Sequence, residues 1–262
     1  MRSKILLFIP MYNCEKQIAR VIGKMDGRVP ESITEVLVAD NGSSDASVNK
    51  ARQALSGLKG VRATLVQNLR NYSLGGSLKI AFNYCLDHQY DHCLVLHGDD
   101  QADIADILPH LQDEKFLAHD CAFGSRFEPQ SRLSGYAITR ILGNKALNAL
   151  ASLAGRRRVS DLGSGLNIYK AAYLKDRAYL RFPDGLTFDV YMLLRCLWTG
   201  ADFIFFPVSW TESDQKSNAR AFRQGAEILS LLLKYSISPA SVFAADRGAK
   251  AYGFRVIYSQ AL

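Results

Sequence analysis

The feature that most constrains this chain is the alternation of short apolar runs with helical periodicity through its first hundred residues. Ile5–Ile9 is a compact apolar run ending at Pro10, and Glu15–Met25 follows with apolar residues at helical spacing (Ile18, Val21, Ile22, Met25). Glu35–Ala39 reads as a second strand, closed by the turn-rich Asp40-Asn-Gly-Ser-Ser-Asp45, and Val48, Ala51 and Leu55 mark the next helix. Ala63–Val66 is a third strand, Ser77–His88 a third helix, and His92–Leu96 a fourth strand ending in His97-Gly-Asp-Asp-Gln101. Strands without polar alternation are buried on both faces, which is the habit of parallel sheets. Strand–helix–strand repetition then predicts an α/β fold with a doubly wound, mainly parallel sheet flanked by helices. Ligands of such sheets sit beyond the carboxyl ends of the strands. The Pro10 segment, the Asp40 turn and the Asp99 turn all leave strand C-termini, so they are expected to converge on one crevice.

The second half is less regular. Cys121–Phe123, Leu166–Tyr169 and Phe203–Val208 read as strands, and Ile138–Leu153 and Phe188–Trp198 as helices. Gly155-Arg-Arg-Arg-Val159 is a basic loop. With no internal repeat and no low-complexity linker, one domain over residues 1–215 is expected, with a nucleotide-sugar-binding half at 1–101 and an acceptor half at 102–215. Amphipathic helices are expected over 216–262.

Composition excludes several classes. Hydrophobic residues are 48% of the 262, enough for a large core, and the net charge of +7 suits an anionic ligand or membrane surface. Nucleic acid is not expected as a partner, because no zinc pattern, aromatic RNA-binding signature or basic tail accompanies the charge. Cys14, Cys85, Cys93, Cys121 and Cys196 lack CxxC spacing and read as buried small hydrophobes in a reducing compartment. The apolar run at the N-terminus is too short for a signal peptide core. The run Ile228–Leu233, broken by Lys234 and Pro239, is too short for the roughly 20 residues that a membrane span needs. A cytoplasmic protein is expected, with peripheral attachment at the inner face of the membrane open to it.

The glycine fingerprint of a dinucleotide fold is missing after the first strand, and so is a Walker A loop. In their place stands Pro10-Met-Tyr-Asn-Cys-Glu15, whose proline, aromatic and carboxylate can hold a flat base and a ribose. Asp40 is poised to accept a hydrogen bond from a base edge, although a turn of this composition is commonly only a turn. Asp99-Asp100-Gln101 places hard oxygen ligands at a strand end, fit for Mg2+ or Mn2+ bridging a diphosphate. A solvated loop capping the next segment is the plainer reading.

Taken together and in this order, Pro10–Glu15, Asp40–Asp45 and His97–Gln101 resemble the three signatures of family-2 glycosyltransferases. Gly124-Ser-Arg-Phe127, Arg140 with Gly143-Asn144, and Asp161-Leu-Gly-Ser-Gly165 with Tyr169 are similar to the branch of dolichyl- and polyprenyl-phosphate mannose synthases and their bacterial relatives. The resemblance covers about residues 4–215 and implies a GT-A fold, a nucleotide-sugar donor and inversion at the anomeric carbon. It implies that Pro10, Tyr12 and Glu15 line the nucleoside site, with Asp40 on the base, and that Asp99 and Gln101 hold the metal. His97 stands where the branch carries an aspartate, and either ligates the metal or contacts the donor. Asp100 fills a variable position. Arg126 and Arg140 match a pair that grips the acceptor phosphate, as planar guanidinium groups are suited to do. Asp189 lies where related enzymes place a carboxylate base, and the other reading is stabilisation of a helix first turn.

The resemblance therefore implies an inverting, metal-dependent glycosyltransferase of cell-envelope glycan biosynthesis with polyprenyl phosphate as acceptor. Transfer to a sugar hydroxyl of a cell-surface polysaccharide or lipopolysaccharide is the alternative. A non-catalytic nucleotide-sugar-binding protein is a third reading, motivated by His97. Arg156–Arg158 is either a solvated loop or a contact for anionic lipid. Trp198 reads as core, Trp210 is a candidate sugar contact, and Phe222–Leu233 either packs on the body or meets a membrane. His88, His92, His110 and His119 read as structural. The sequence carries no signal for donor base, sugar or oligomeric state.

Overall fold

The computed structural model describes residues 3–25, 32–212, 221–248 and 251–261. Ten strands and nine helices are described within them. The strands are β1 (Ile5–Met11), β2 (Glu35–Asp40), β3 (Arg62–Asn68), β4 (His92–Leu96), β5 (Cys121–Ser125), β6 (Arg132–Ser134), β7 (Leu166–Lys170), β8 (Phe203–Pro207), β9 (Ser209–Thr211) and β10 (Phe254–Gln260). The helices are α1 (Ile18–Gly23), α2 (Ser47–Gly57), α3 (Ser73–Asp87), α4 (Glu114–Ala118), α5 (Ile138–Gly155), α6 (Ala171–Leu174), α7 (Phe188–Thr199), α8 (Ala221–Ile237) and α9 (Pro239–Ala244). Eight strands form one sheet in the order β10-β3-β2-β1-β4-β7-β5-β8, and β6 pairs with β9 in a small second sheet.

The continuous apolar runs are buried on both faces. Alternate residues of β1 and β2 go to opposite sides: Leu6, Phe8, Leu37 and Ala39 meet Leu78 and Phe82 of α3 and Leu193 of α7. Ile5, Leu7, Ile9, Val36 and Val38 meet Ile18 and Val21 of α1 and Ala51 and Leu55 of α2. Period-two alternation thus builds two core layers around one sheet.

Register then positions the site. In the parallel ladder Met11 pairs with Asp40, and Asp40 with Gln67, so the carboxyl ends of β1, β2 and β3 stand level. The winding reverses between β1 and β4, where such sheets open a crevice. β7 runs antiparallel to β4 with Leu166 opposite Leu96, which brings the loop before β7 to the His97 edge. Ser125 opposite Pro207 closes the same edge beyond β7.

Three elements differ from the sequence reading. α1 begins at Ile18 rather than Glu15, because the Glu15 carboxylate accepts from Ala46 N–H at 3.0 Å and holds residues 15–17 in a turn. α3 begins at Ser73 rather than Ser77, through two glycines that discourage an isolated helix. A Cβ on Gly75 would stand 2.8 Å from both Phe188 Cβ and the Pro183 carbonyl, so close packing selects the residue that propensity disfavours. Beyond residue 215 the expected helices are present as α8 and α9, but Phe254–Gln260 is a strand, antiparallel to β3. That strand lies at an edge, half exposed, and owes its conformation to the free edge of β3, which no local pattern announces. Residues 213–220, which include the expected boundary at 215/216, lie outside the described residues.

Candidate active site

The exits of β1 and β2 are laced together by hydrogen bonds to backbone N–H groups. Asn13 N–H donates to Ser43 Oγ at 3.0 Å, Ser44 N–H to Asn13 Oδ1 at 2.9 Å, and Glu15 N–H to Asp45 Oδ2 at 3.2 Å. Asp40 is fully buried, and its oxygens accept from Gly42 N–H at 3.3 Å, Ser43 N–H at 3.0 Å and Gln67 Nε2 at 3.0 Å. It therefore builds the turn. Pro10 ties β1 to β4, its carbonyl accepting from Gly98 N–H at 3.2 Å. Tyr12 is exposed at the lip.

The β4 exit forms the floor. His97 N–H donates to the Gly165 carbonyl at 3.0 Å. Gly165 has a φ of +70°, and a Cβ there would meet His97 Nδ1 at 2.7 Å, so glycine is required both for the turn and for the imidazole beside it. His97 Nε2 is buried and without a protein partner. Burial raises the Asp99 carboxyl above its ordinary value, against the opposing pull of His97. Asp189, buried in the first turn of α7, is likewise raised by burial and pulled back by His97 and by Tyr169, whose hydroxyl donates to Oδ1 at 3.3 Å. One imidazole thus acts on two desolvated carboxyls from different elements. Asp100 is turned aside by a φ of 61°, and its oxygens pair with Arg20 Nε and Lys24 Nζ, each at 2.7 Å.

Gln101 is half-buried, its carbonyl accepting from Thr211 N–H at 2.9 Å. Among the described residues no group of three or more His, Cys, Asp or Glu could hold a metal alone. The set that is present is one desolvated carboxylate and one buried, unpartnered imidazole nitrogen. It fits a Mg2+ or Mn2+ ion that takes most of its ligands from a diphosphate, as Mg2+ commonly does, and imidazole suits Mn2+.

Beyond β5 the site holds two guanidinium groups, each paired with a carboxylate. Arg126 is buried and holds Asp161 in a fork, Nε to Oδ2 and Nη2 to Oδ1 at 2.8 Å each, while Nη1 donates to Tyr136 Oη at 3.1 Å. The guanidinium lies 4.9 Å from the Trp210 ring centroid. Arg140 is part-exposed, binds Glu212 through Nη1 at 2.5 and 2.6 Å, and lies 4.7 Å from the Tyr136 centroid. Tyr136 therefore stands between the two arginines. Trp210 is buried beneath Arg126.

The basic loop divides. Arg157 is bound to the Ala201 and Phe203 carbonyls over the Phe203 ring, Arg158 pairs with Glu128 at 3.0 Å, and Arg156 is exposed. Trp198, read as core, is half exposed because it caps the end of α7 and stacks on Phe243 at 5.0 Å. Sequence reasoning gave no role to Asp161, Glu212 or Tyr136. The local hint for Asp161 was an acid between a triple arginine and the small residues Gly163–Gly165. Lys79 was also missed. It is a fully buried lysine on α3 that donates to Phe182 O, Asp184 Oδ1 and Tyr252 Oη, and so fixes the loop entering α7.

An eight-stranded, mostly parallel sheet with its polar floor beyond β1, β2 and β4 is the architecture of the GT-A glycosyltransferases. The chain belongs to glycosyltransferase family 2, whose family model, Glycosyl transferase family 2, matches residues 7–177. An undecaprenyl-phosphate mannosyltransferase of Micrococcus luteus is 25% identical over 213 residues, 80% of this chain and 85% of that protein. A UDP-N-acetylglucosamine–dolichyl-phosphate N-acetylglucosaminyltransferase of Methanococcus voltae is 23% identical over 185 residues, 65% of this chain and 71% of that one. Among solved structures, glucosyl-3-phosphoglycerate synthase of Mycobacterium tuberculosis with Mn2+, UDP-glucose and glycerol 3-phosphate superposes with a TM-score of 0.60 at 15% identity, over 89% of this chain and 80% of that one. A mannosyltransferase of Pyrobaculum calidifontis with GDP-mannose and Mn2+ gives a TM-score of 0.59 at 19% identity, over 96% and 66%.

Proposed function

We propose that this enzyme transfers a sugar, with inversion, from a nucleotide-diphosphate sugar to a polyprenyl phosphate at the cytoplasmic face of a membrane. The observation that carries the reading is the division of side chains along the sheet's carboxyl edge, with the guanidinium groups each held by a carboxylate partner. Desolvated carboxyls lie at the β4 and α7 end, and guanidinium groups lie at the β5 and α5 end. Both curated relatives above are named for prenyl-phosphate acceptors, which supports the choice. Pro10, Tyr12 and Glu15 with the Asp40 turn receive the nucleoside. Asp99, with His97 and Gln101, holds a divalent cation at the donor diphosphate. When bound, such an ion neutralises charge on the nucleoside diphosphate as it leaves. Arg140 exchanges Glu212 for the acceptor phosphate, and Arg126, fixed by Asp161, keeps Tyr136 and Trp210 in place behind it. A phosphate is already anionic near neutral pH and attacks without a base.

Asp189 favours a second reading. A buried carboxyl of raised affinity for a proton is suited to deprotonate a sugar hydroxyl, a step that contributes roughly 10²–10⁴-fold. On that reading the acceptor is a hydroxyl of a surface glycan.

The test supplies UDP- and GDP-sugars with Mn2+ and a short-chain prenyl phosphate. The proposal expects labelled sugar in the organic phase as a prenyl-phosphate ester. Label that passes only to glycan hydroxyls supports the second reading, and no turnover of any nucleotide sugar leaves a binding protein.

A further inference from the structure

Helix α8 is apolar on two faces. Ile228, Leu231, Leu232 and Tyr235 form the inner stripe and are buried in the core. Phe222, Ala226, Leu229, Leu233 and Ile237, three or four residues apart, form an outer stripe that is exposed, with Phe222 at 91% and Ile237 at 86%. A surface helix ordinarily turns a polar face outward. Helix α5, packed beside it, repeats the anomaly with Ile138 at 73%, Leu142 at 63% and Leu153 at 77% exposed on one stripe. A groove of about 300 Å³ lined by Leu150, Leu153, Leu229 and Leu233 joins the C-terminal end of the α5 stripe to the α8 stripe.

The net charge of the two helices is positive. Helix α5 contains no acidic residue and carries exposed Lys145, and Arg156 follows at the groove; its Arg140 is paired with Glu212. In α8 the one acid, Glu227, is paired with Arg223 at 3.1 Å, and exposed Lys234 adjoins Leu233. A second copy of the chain would set these cations against their like. An anionic lipid surface complements them and accepts the apolar stripe below its headgroups. No described helix is long and apolar enough to cross a membrane.

We propose that the outer face of α5 and α8 is a docking surface for an anionic bilayer, on which the two helices lie flat. The docking stands on the two stripes and their charge. Its use rests on the acceptor reading: α5 carries the Ile138 and Leu142 stripe on one side and Arg140, paired with Glu212 over Tyr136, on another, so docking would bring that end of the site to the bilayer surface.

The test measures cosedimentation of the full chain with phosphatidylcholine vesicles, with and without phosphatidylglycerol. Binding to the phosphatidylglycerol vesicles is expected. It should weaken about tenfold for each buried side chain removed among I138S, L153S, F222S and I237S. The thermal midpoint should stay within a degree or two, because these side chains already face solvent. K145Q with K234Q should lower binding to the anionic vesicles only. Failure of the native chain to bind, undiminished binding by the quadruple serine variant, or a dimer that the serines dissociate without any vesicle binding would each overturn the proposal. Transfer to a short-chain prenyl phosphate without vesicles is run beside it. Loss of that transfer with vesicle binding intact refutes the acceptor reading alone.

Discussion

The exits of β1, β2 and β4, read as the donor side, and the region beyond β5, read as the acceptor side, satisfy their charged groups by different means. At the exits of β1, β2 and β4, carboxylates accept mainly from backbone N–H groups: Asp40 from Gly42 and Ser43, Glu15 from Ala46, Asp99 from Gln101. Beyond β5, guanidinium groups are met by carboxylates distant in the chain, Arg126 by Asp161 and Arg140 by Glu212. Backbone bonds hold whether or not a ligand arrives, so the β1, β2 and β4 exits are organised in advance. An ion pair must open before a phosphate can take its place. The two pairs differ in burial: Arg126 and Asp161 are 9% and 1% exposed, whereas Arg140 and Glu212 are 29% and 16%. The first is a fixed support and the second is the exchangeable one.

The largest effect is expected on the donor side. Asp99→Ala should lower turnover by about 10³-fold or more while the fold survives, since several kcal/mol of leaving-group stabilisation go with the ion. Metal-dependent nucleotide binding should be lost in parallel, and wild-type turnover of the variant in Mn2+ would remove Asp99 from the metal site.

Next comes the contrast between the two pairs. Asp161→Ala leaves Arg126 buried and uncompensated and should destabilise by about 3–5 kcal/mol in urea unfolding. Glu212→Ala, at a part-exposed pair, should cost no more than about 1 kcal/mol and lower KM for the acceptor phosphate. Equal losses would mean that the pairs do not differ as described.

Arg140→Ala should raise acceptor KM about tenfold or more, in line with roughly 1.5–3 kcal/mol for a charged hydrogen bond, and leave nucleotide affinity within a few-fold. Arg126→Ala should also impair acceptor use more than donor binding, with a stability loss added. A large loss of nucleotide affinity in either would move that arginine to the donor diphosphate.

The smallest effect on rate is expected at Asp189. Asp189→Asn should leave transfer to prenyl phosphate nearly unchanged, whereas a large fall in the chemical step would favour a hydroxyl acceptor. Its stability signature has a definite sign. A carboxyl raised in the native state binds its proton more tightly folded than unfolded. Its contribution is fully present below the ordinary value of 3.8 and is lost as pH rises through the native value. Asp189→Asn should therefore be more stable than the native chain at neutral pH, with the difference closing below pH 3.8.

The same contrast explains what was legible in the sequence. Strands β1 to β4 announce themselves by unbroken apolar runs, and their exits by turn residues such as Asp40-Asn-Gly-Ser, whose bonds lie within a few residues. The floor was only half visible. Asp99 and Asp189 stand 90 positions apart, and nothing local places His97 beside both. Glu212 was silent, and Asp161 stood in a motif without a role, because each is defined by a partner 72 or 35 residues away. β10 was silent because an edge strand is made by its neighbour, and the early start of α3 because glycine there answers to Phe188 and Pro183 rather than to propensity.

The exits of β1, β2 and β4 are expected to form a prebuilt nucleotide site completed by a divalent cation at Asp99. Calorimetric titration of UDP and of GDP into the native chain, in Mn2+ and then in EDTA, tests it most directly. One nucleotide should bind at least tenfold more tightly in Mn2+, Asp99→Ala should abolish that gain, and Arg140→Ala should keep it. Equal affinity in Mn2+ and EDTA, or a gain that survives in Asp99→Ala, would contradict the claim.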